Sequence, residues 1–457
     1  MPLPIEKDCR RIADRALGFA PTPEASVVLT FTAGSNTRFA NNEIMTSGAA
    51  EGLTVVASVT RDTRTGRVVL NETSDAALER AMKRADELAK VLPPDPEYVG
   101  PLPKQSYLAI AAYDEPTAKF TAADRLPGVR AVVEPSAQAG MNSSGFFLNG
   151  GSVQCVANKA GNWGYHRSTD ASFSATARTA DGSGSGWAED SSTRVKDVNA
   201  PDLAARALKK AKTSVSPQAL EPGDYTVILE PAAVADLISQ NLSFSLGARA
   251  AEEGRSFFSK KGGGTLIGEK VFHESVTLKS DPSDARRPGS PWGGGGFGGG
   301  GGGGGGFGGG GEIGLAARPI TWVENGVLKN LSYDRYWAKK ADREPTQATS
   351  NLILEGGKDT LESLIASTDR GVLITHFWYI RAVNPQTLQL TGLTRDGLWL
   401  IEKGKISRPI MNFRFNESPA VVLSNVLGMT PAVRTGNSVM PAIKTANFTF
   451  SSLSDAV

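Results

Sequence analysis

Histidine is scarce in this chain, with three in 457 residues: His166, His273 and His376. A metal centre built on two or three imidazoles would take most of that supply, and no two of the three are close enough in sequence to share a helix face. His273-Glu274 has no second histidine four or five residues on, so it is not a zinc-binding helix pair. Cysteine is scarcer still, with only Cys9 and Cys155. Two cysteines cannot form the disulfide framework of a small secreted scaffold. They fit a reducing compartment, where both serve as small buried hydrophobes.

Charge of one sign is also missing. Lys and Arg number 49 and Asp and Glu 47, for a net charge of +2. That leaves no clustered basic face of the kind nucleic acid requires. No apolar run approaches a membrane span. After Met1-Pro2-Leu3-Pro4 the chain goes straight to Glu6, Lys7, Asp8, Arg10 and Arg11, without the apolar region of a signal peptide. The expectation is a cytoplasmic protein that binds neither membrane nor nucleic acid. A serine-hydrolase elbow is missing too, because Gly182-Ser-Gly-Ser-Gly186 has glycine at its centre.

Glycine, by contrast, is abundant. Gly293 to Gly311 is all glycine apart from Phe297 and Phe307. Such a tract cannot bury enough apolar surface to offset its backbone entropy, so an inserted loop over 293–311 is expected. Around it the patterning is that of an α+β protein. Helical spacing marks residues 4–18, 121–140 and 200–213. The clearest helix starts at Ser74-Asp75 and carries Leu78, Met82, Ala85, Leu88 and Leu92 up to Pro93-Pro94. Strands are expected over 26–59, with Ala33-Gly34-Ser35-Asn36 as a turn. A meander of short strands follows near 144–149, 152–158, 162–168 and 171–179. Three domains are expected: 1–100, 105–218 and a strand-rich 221–457. The last opens with the strand Tyr225-Thr-Val-Ile-Leu-Glu. Pro231 then starts a helix bearing Val234, Leu237, Ile238, Leu242 and Leu246.

Several segments in order resemble one family. They are Ser35-Asn36-Thr37-Arg38-Phe39-Ala40-Asn41-Asn42, Tyr225-Thr-Val-Ile-Leu-Glu-Pro231, and Trp322-Val-Glu-Asn-Gly-Val-Leu-Lys-Asn. Two more are Thr375-His-Phe-Trp-Tyr-Ile-Arg-Ala-Val-Asn-Pro and Leu390-Thr-Gly-Leu-Thr-Arg-Asp-Gly-Leu-Trp-Leu-Ile-Glu-Lys-Gly-Lys-Ile. Together they resemble the TldD/PmbA proteins over nearly the whole chain outside the glycine tract. The resemblance implies a metallopeptidase that works as paired subunits around a chamber, one type bearing zinc and the PmbA (TldE) type lacking the metal motif. The family is also described as a modulator of DNA gyrase through processing of peptide toxins and antitoxins.

The zinc type carries His-Glu-x-x-x-His on its central helix and a cysteine near its C-terminus. Residues i and i+5 point about 140° apart on an ideal helix, so that motif implies a locally widened turn. Aligned from Pro231, its two histidines and glutamate fall on Ser239, Phe244 and Gln240, and its cysteine near Val433. A serine hydroxyl is a poor zinc ligand beside imidazole or thiolate, and phenylalanine and valine offer no lone pair. Glutamine cannot take the proton of an attacking water. The implied reading is a non-catalytic PmbA/TldE-like subunit with no cofactor of its own. Its partner would be a TldD-like zinc-bearing chain and its substrate a peptide. Plain helix packing is the simplest role for Ser239, Gln240 and Phe244. The sharper one places Gln240 and Asn241 on a peptide channel with His376, Arg381, Thr391 and Asp396. The alternatives are an autonomous hydrolase with another nucleophile and a homodimeric peptide-binding scaffold.

Overall fold

In the computed structural model, residues 3–293, 312–347 and 351–455 are described. Most of the glycine tract, from Gly294 on, lies outside them. Helix α1 (Glu6–Gly18) buries Cys9, Ala13 and Ala16. Strands β1 (Ala25–Ala40), β2 (Glu43–Arg61) and β3 (Arg64–Leu70) follow, then α2 (Asp75–Val91). As its sequence predicts, α2 is capped by the Ser74 side chain, which accepts from the Ala77 N–H. Short α3 (Glu115–Ala118) and α4 (Ala122–Gln138) lead into β4 (Met141–Asn158), β5 (Trp163–Thr179), β6 (Ser185–Ser192) and α5 (Ala200–Thr213).

The six strands form one antiparallel sheet in the order β3-β2-β1-β4-β5-β6. β1 pairs with β4 from Ser26 opposite Asn158 to Phe39 opposite Gly145, so one sheet takes strands from both sides of the boundary between 1–100 and 105–218. Parity organises it. On β4, Phe147, Val153, Cys155 and Ala157 are all odd-numbered and all buried under helices. Alternate strand residues share a face. Both helix pairs, α1 with α2 and α4 with α5, therefore cover the same side, leaving the other for the rest of the chain.

The expected meander is corrected here: the four short strands between 144 and 179 are two long ones. Residues read as turns instead allow close approach of neighbouring strands. A Cβ at Gly150 would sit 2.8 Å from the Ala33 carbonyl oxygen, and one at Gly145 only 2.1 Å from that of Ser174. Ala33-Gly34-Ser35-Asn36 likewise lies inside β1. The polar residues of this stretch receive a buried charge. Arg125 of α4 is 1% exposed. Its Nε donates to Thr37 Oγ1 at 2.9 Å, its Nη1 to Ser35 Oγ at 2.6 Å and Asn149 Oδ1 at 2.5 Å, and its Nη2 to the Asn36 carbonyl at 3.3 Å.

The C-terminal part opens with β7 (Gly223–Leu229). The central helix follows: α6 (Pro231–Val234), a widened π turn over Ala235–Ser239, and α7 (Gln240–Ser245). Its apolar residues Val234, Leu237, Ile238, Leu242 and Leu246 are all buried. Four short strands come next, β8 (Leu278–Ser280), β9 (Ile320–Glu324), β10 (Val327–Leu328) and β11 (Leu352–Leu354). Then come β12 (Arg370–Asn384), β13 (Gln389–Glu402), β14 (Lys405–Pro409), β15 (Phe413–Glu417) and β16 (Val426–Met429). The last three are β17 (Val433–Thr435), β18 (Ser438–Met440) and β19 (Ile443–Leu453). One sheet runs β10-β9-β8-β11-β18-β17. In the other, β12-β7-β19-β15-β13 closes on itself because β12 and β13 also pair. Phenylalanines fill that ring: Phe413 lies 4.4 Å from Phe450 and Phe377 lies 4.7 Å from Phe415, centroid to centroid.

The ends of the glycine tract are tied together. The Gly293 N–H donates to the Leu315 carbonyl at 3.0 Å and the Gly314 N–H to that of Gly293 at 3.3 Å. Trp292 beside them is buried and meets Tyr107 edge-on at 4.9 Å.

Because Arg125 is a buried cation held by neutral acceptors, Arg125→Ala removes its four hydrogen bonds to Thr37, Ser35, Asn149 and the Asn36 carbonyl and leaves a cavity. Its expected cost is about 2–4 kcal/mol, read from a lowered urea midpoint at unchanged m. An unshifted midpoint would mean that water replaces the guanidinium without loss.

Candidate functional site

The last strand of the first sheet brings the two parts of the molecule together. On β6, Gly186 and Ala188 face α5 and the helix-side core. Alternation turns Ser185, Trp187, Glu189 and Ser191 toward the C-terminal part. Ser185 Oγ donates to Asp396, Trp187 stacks on His376 with centroids 4.2 Å apart, and Ser191 Oγ donates to the Gly436 carbonyl at 3.0 Å. At the end of the strand, Arg434 of β17 grips Asp190 with Nη2–Oδ2 2.7 Å and Nε–Oδ1 3.2 Å. Nearby, Lys210 of α5 pairs with Glu230, just before the central helix, at 2.6 Å.

Along this seam lies a recess built from β6, the π turn and the β12–β13 hairpin. His376 of β12 is 6% exposed. Its Nε2 is 2.8 Å from Asp396 Oδ2, and its Nδ1 is 3.8 Å from Asp236 Oδ2. Hydrogen bonding to His376 and Ser185 holds the Asp396 carboxyl below the usual carboxylate range despite its burial. An ionised carboxylate can only accept, so Nε2 carries the proton toward Asp396. The hairpin breaks to allow this contact: Asp396 has φ 55° and Gly397 φ 116°, which turns the carboxylate inward. Asp236, inside the π turn, accepts from the Phe377 N–H at 2.9 Å. Burial pushes Asp236 up to about 6, against the pull of His376 and that N–H. Burial and then the nearby Asp236 push Glu189 up to about 7. Both carboxylates still touch solvent, Asp236 with 34% of its side chain and Glu189 as an exposed residue. Protein crowds them on most sides, as on the wall of an open recess.

Of the residues singled out from sequence, His376 and Asp396 meet directly. Arg381 and Thr391 are cross-strand neighbours further along the same hairpin. There Arg381 is exposed and stacks on Tyr379 at 4.1 Å, and Arg395 stacks on Trp378 at 4.8 Å. Asn241 Nδ2 returns to the Leu237 carbonyl of its own helix at 3.2 Å. Gln240 begins α7, and its side chain is outside the described atoms. Ser239 is buried, with Oγ 2.8 Å from Ser438 Oγ on β18. Simple helix packing does not hold for Phe244, which is 53% exposed, two residues from Leu242 and from Leu246 and so on the opposite side of the helix from both. The sequence reading missed Trp187, Glu189 and Asp236. Asp236 had a faint signal, as the lone charged residue of the central helix.

Fold and site define a two-part α+β protein, a helix-backed antiparallel sheet closed against a ring-bearing domain, with an imidazole- and carboxylate-lined recess at the seam. Residues 222–452 match the PmbA/TldA metallopeptidase C-terminal domain and residues 101–215 the PmbA/TldA metallopeptidase central domain, and the chain belongs to the PmbA/TldD metallopeptidase family. Its fold is similar to that of a candidate modulator of a DNA gyrase from Thermotoga maritima, with TM-score 0.82, 17% identity, and coverage of 97% of this chain and 100% of that one. A second such protein, from Bacteroides thetaiotaomicron, gives TM-score 0.83 at 20% identity over 98% of this chain and 100% of that one. TldE from Thermococcus kodakarensis gives 0.81 at 17% identity over 97% and 99%. An uncharacterised protein of Methanocaldococcus jannaschii is 30% identical over 159 residues, which is 35% of this chain and 32% of that relative. The match thus spans about a third of the relative's length. Among the described residues, no helix is long and apolar enough to cross a membrane.

A metallopeptidase family implies zinc, and the residues at the positions aligned with its ligands do not fit it. The Ser239 hydroxyl is engaged by Ser438. Phe244 is a hydrocarbon ring turned to solvent, and Val433 is a 49% exposed hydrocarbon on β17. The structure does bring the helix position Ser239 against the β17–β18 hairpin that carries Val433. Among the described residues, no three His, Cys, Asp or Glu side chains converge as metal ligands.

Glu189 binds its proton more tightly folded than unfolded, so the folded state loses stability as pH rises from about 4.5 to about 7. Glu189→Gln stays neutral throughout. Its Tm should equal that of the parent at pH 4 and exceed it at pH 8 by up to about 3 °C. A difference that does not change with pH would contradict this assignment.

Proposed function

We propose that this chain is the metal-free subunit of a paired peptidase, in which a zinc-bearing relative cuts and this chain shapes the chamber that holds the peptide. One observation carries the reading. The positions aligned with the zinc ligands carry Ser239, Phe244 and Val433, of which Ser239 is buried and engaged by Ser438 while Phe244 and Val433 are exposed hydrocarbon. The likeness to a structure described as TldE supports it.

An extended peptide has a place to lie. β7 covers β12 only at Val372–Ile374, so among the described residues the outer edge of β12 from Trp378 to Asn384 has no strand beside it. Main-chain hydrogen bonding to such an edge is a common mode of peptide recognition. Trp378 and Tyr379, 52% and 60% exposed, flank it, with His376 and Asp396 at its inner end. Cytoplasmic location and the absence of nucleic acid or membrane partners belong to the same reading.

The test is co-expression with a relative that carries an intact His-Glu-x-x-x-His. The two chains should co-elute, zinc should match the relative's molar amount alone, and chelator-sensitive peptide cleavage should require both. If this chain by itself binds one equivalent of zinc and cleaves peptides in a chelator-sensitive way, the reading is wrong.

One observation favours a second reading, an autonomous hydrolase. Asp396 orients the His376 imidazole and leaves Nδ1 toward the recess, the arrangement of a general base. On that reading His376→Asn lowers peptide cleavage by the isolated chain about 100-fold or more. Cleavage that survives this change, Ser239→Ala and loss of the other two histidines would rule it out.

A further inference from the structure

The seam recess presents more acceptors than the protein answers. Asp236 lies in the π turn, Glu189 on β6 and His376 on β12. Because His376 Nε2 carries its proton toward Asp396, Nδ1 offers a lone pair, on a side chain only 7% exposed. Asp236 accepts the Phe377 N–H and has capacity left over. Glu189 stands two residues from Trp187 on the same face of β6, and Trp187 stacks on His376, so the Glu189 carboxylate opens on the same recess. Among the described residues, no lysine or arginine pairs with Asp236 or Glu189. We infer that Asp236, Glu189 and His376 bind the N-terminal ammonium group of an extended peptide that lies along β12 and parallel to it. The inference rests on the peptide-holding role proposed above.

An ammonium group suits this set because it brings three N–H donors and a positive charge to acceptors that lack both. Asp236 Oδ2 and His376 Nδ1 are 3.8 Å apart, too far to bond each other. Two bonds of about 2.8 Å to one shared nitrogen span that gap. The three groups do not close on a point as the ligands of a metal ion do. Access is open, since 34% of the Asp236 side chain and much of Glu189 are exposed.

The course of β12 says why the cation is a chain terminus. β7 runs parallel to β12 and ends with Leu229 opposite Ile374. The Glu230 N–H still reaches the Ile374 carbonyl at 3.0 Å, and Pro231 then turns the chain into the central helix. From that helix Asp236 takes the Phe377 N–H. A peptide paired with the open edge from Trp378 to Asn384 therefore meets the helix at its inner end and stops there. A strand that stops presents a terminus, and the two carboxylates select the amine over the carboxylate. With its amine at this end, the peptide runs in the direction of β12 and prolongs the row that β7 begins. Trp378 and Tyr379, both exposed, flank its first residues.

The experiment uses the full chain and a decapeptide of alternating serine and valine with fluorescein at its C-terminus, read by anisotropy. Acetylating the peptide's N-terminus should weaken binding about 10-fold or more, through loss of charge-assisted hydrogen bonds. On the double variant Asp236→Asn/Glu189→Gln, the free and acetylated peptides should bind alike, at the level of the acetylated peptide on the parent chain. A benzophenone at the peptide's second residue should cross-link to Trp378 or Tyr379, and one at its eighth residue near Asn384. Equal binding of the free and acetylated peptides to the parent chain, binding of neither, or reversed cross-links would overturn the inference. So would an acetylated peptide with lysine at its second residue that binds as tightly as the free amine, because the cation recognised is then a side chain. Acetylation is read on the parent chain, so a double variant that misfolds does not spoil the test. None of these outcomes alters the co-elution or zinc content of the paired chains, so the subunit reading stands or falls separately.

Discussion

A strand at the end of a sheet must dispose of an open face and an open edge. β6 meets that constraint by alternation: Gly186 and Ala188 close the helix-side core, while Ser185, Trp187, Glu189 and Ser191 meet the C-terminal domain. The rest of the molecule follows from this division. The Arg434–Asp190 and Lys210–Glu230 pairs sit at the two borders of the contact, and the π turn and the β12–β13 hairpin are placed opposite the strand. The recess is what remains where two convex bodies meet along one strand. Protein crowds its carboxylates, and that burial raises the affinity of Asp236 for protons and, together with the Asp236 charge, that of Glu189.

Much of the fold was legible because local patterns decided it. Ser74 and the apolar spacing after it defined α2, and Pro231 fixed the start of the central helix, whose widened turn falls at Ala235–Ser239, ahead of the segment aligned with the zinc motif. The reading failed where a residue type has two uses. Gly145, Gly150 and Asn149 look like turn residues in one dimension, but in the sheet they allow backbones to approach or they receive Arg125. Nothing local separates those roles, since both need a missing Cβ or a short polar side chain.

The candidate site was legible by halves. His376 and Asp396 stand on two strands of one hairpin and lie within a recognisable motif. Trp187 and Glu189 come from a strand that follows a Gly-Ser run and carries too few apolar residues to announce itself. Their meeting with His376 depends on the register of a six-stranded sheet, and register is a property of the whole sheet.

The π turn has a consequence for how such a helix is maintained. One extra residue in a turn rotates everything after it by about 100°. Without that residue, Leu242 and Leu246 would swing out of a core in which they are 0% and 1% exposed. The turn is thus fixed by the phase of the apolar residues that follow it, and it needs no bound ion to persist. Single side chains on such a helix can be exchanged one at a time by substitution, whereas its widened turn can be removed only by re-phasing half the helix at a single stroke.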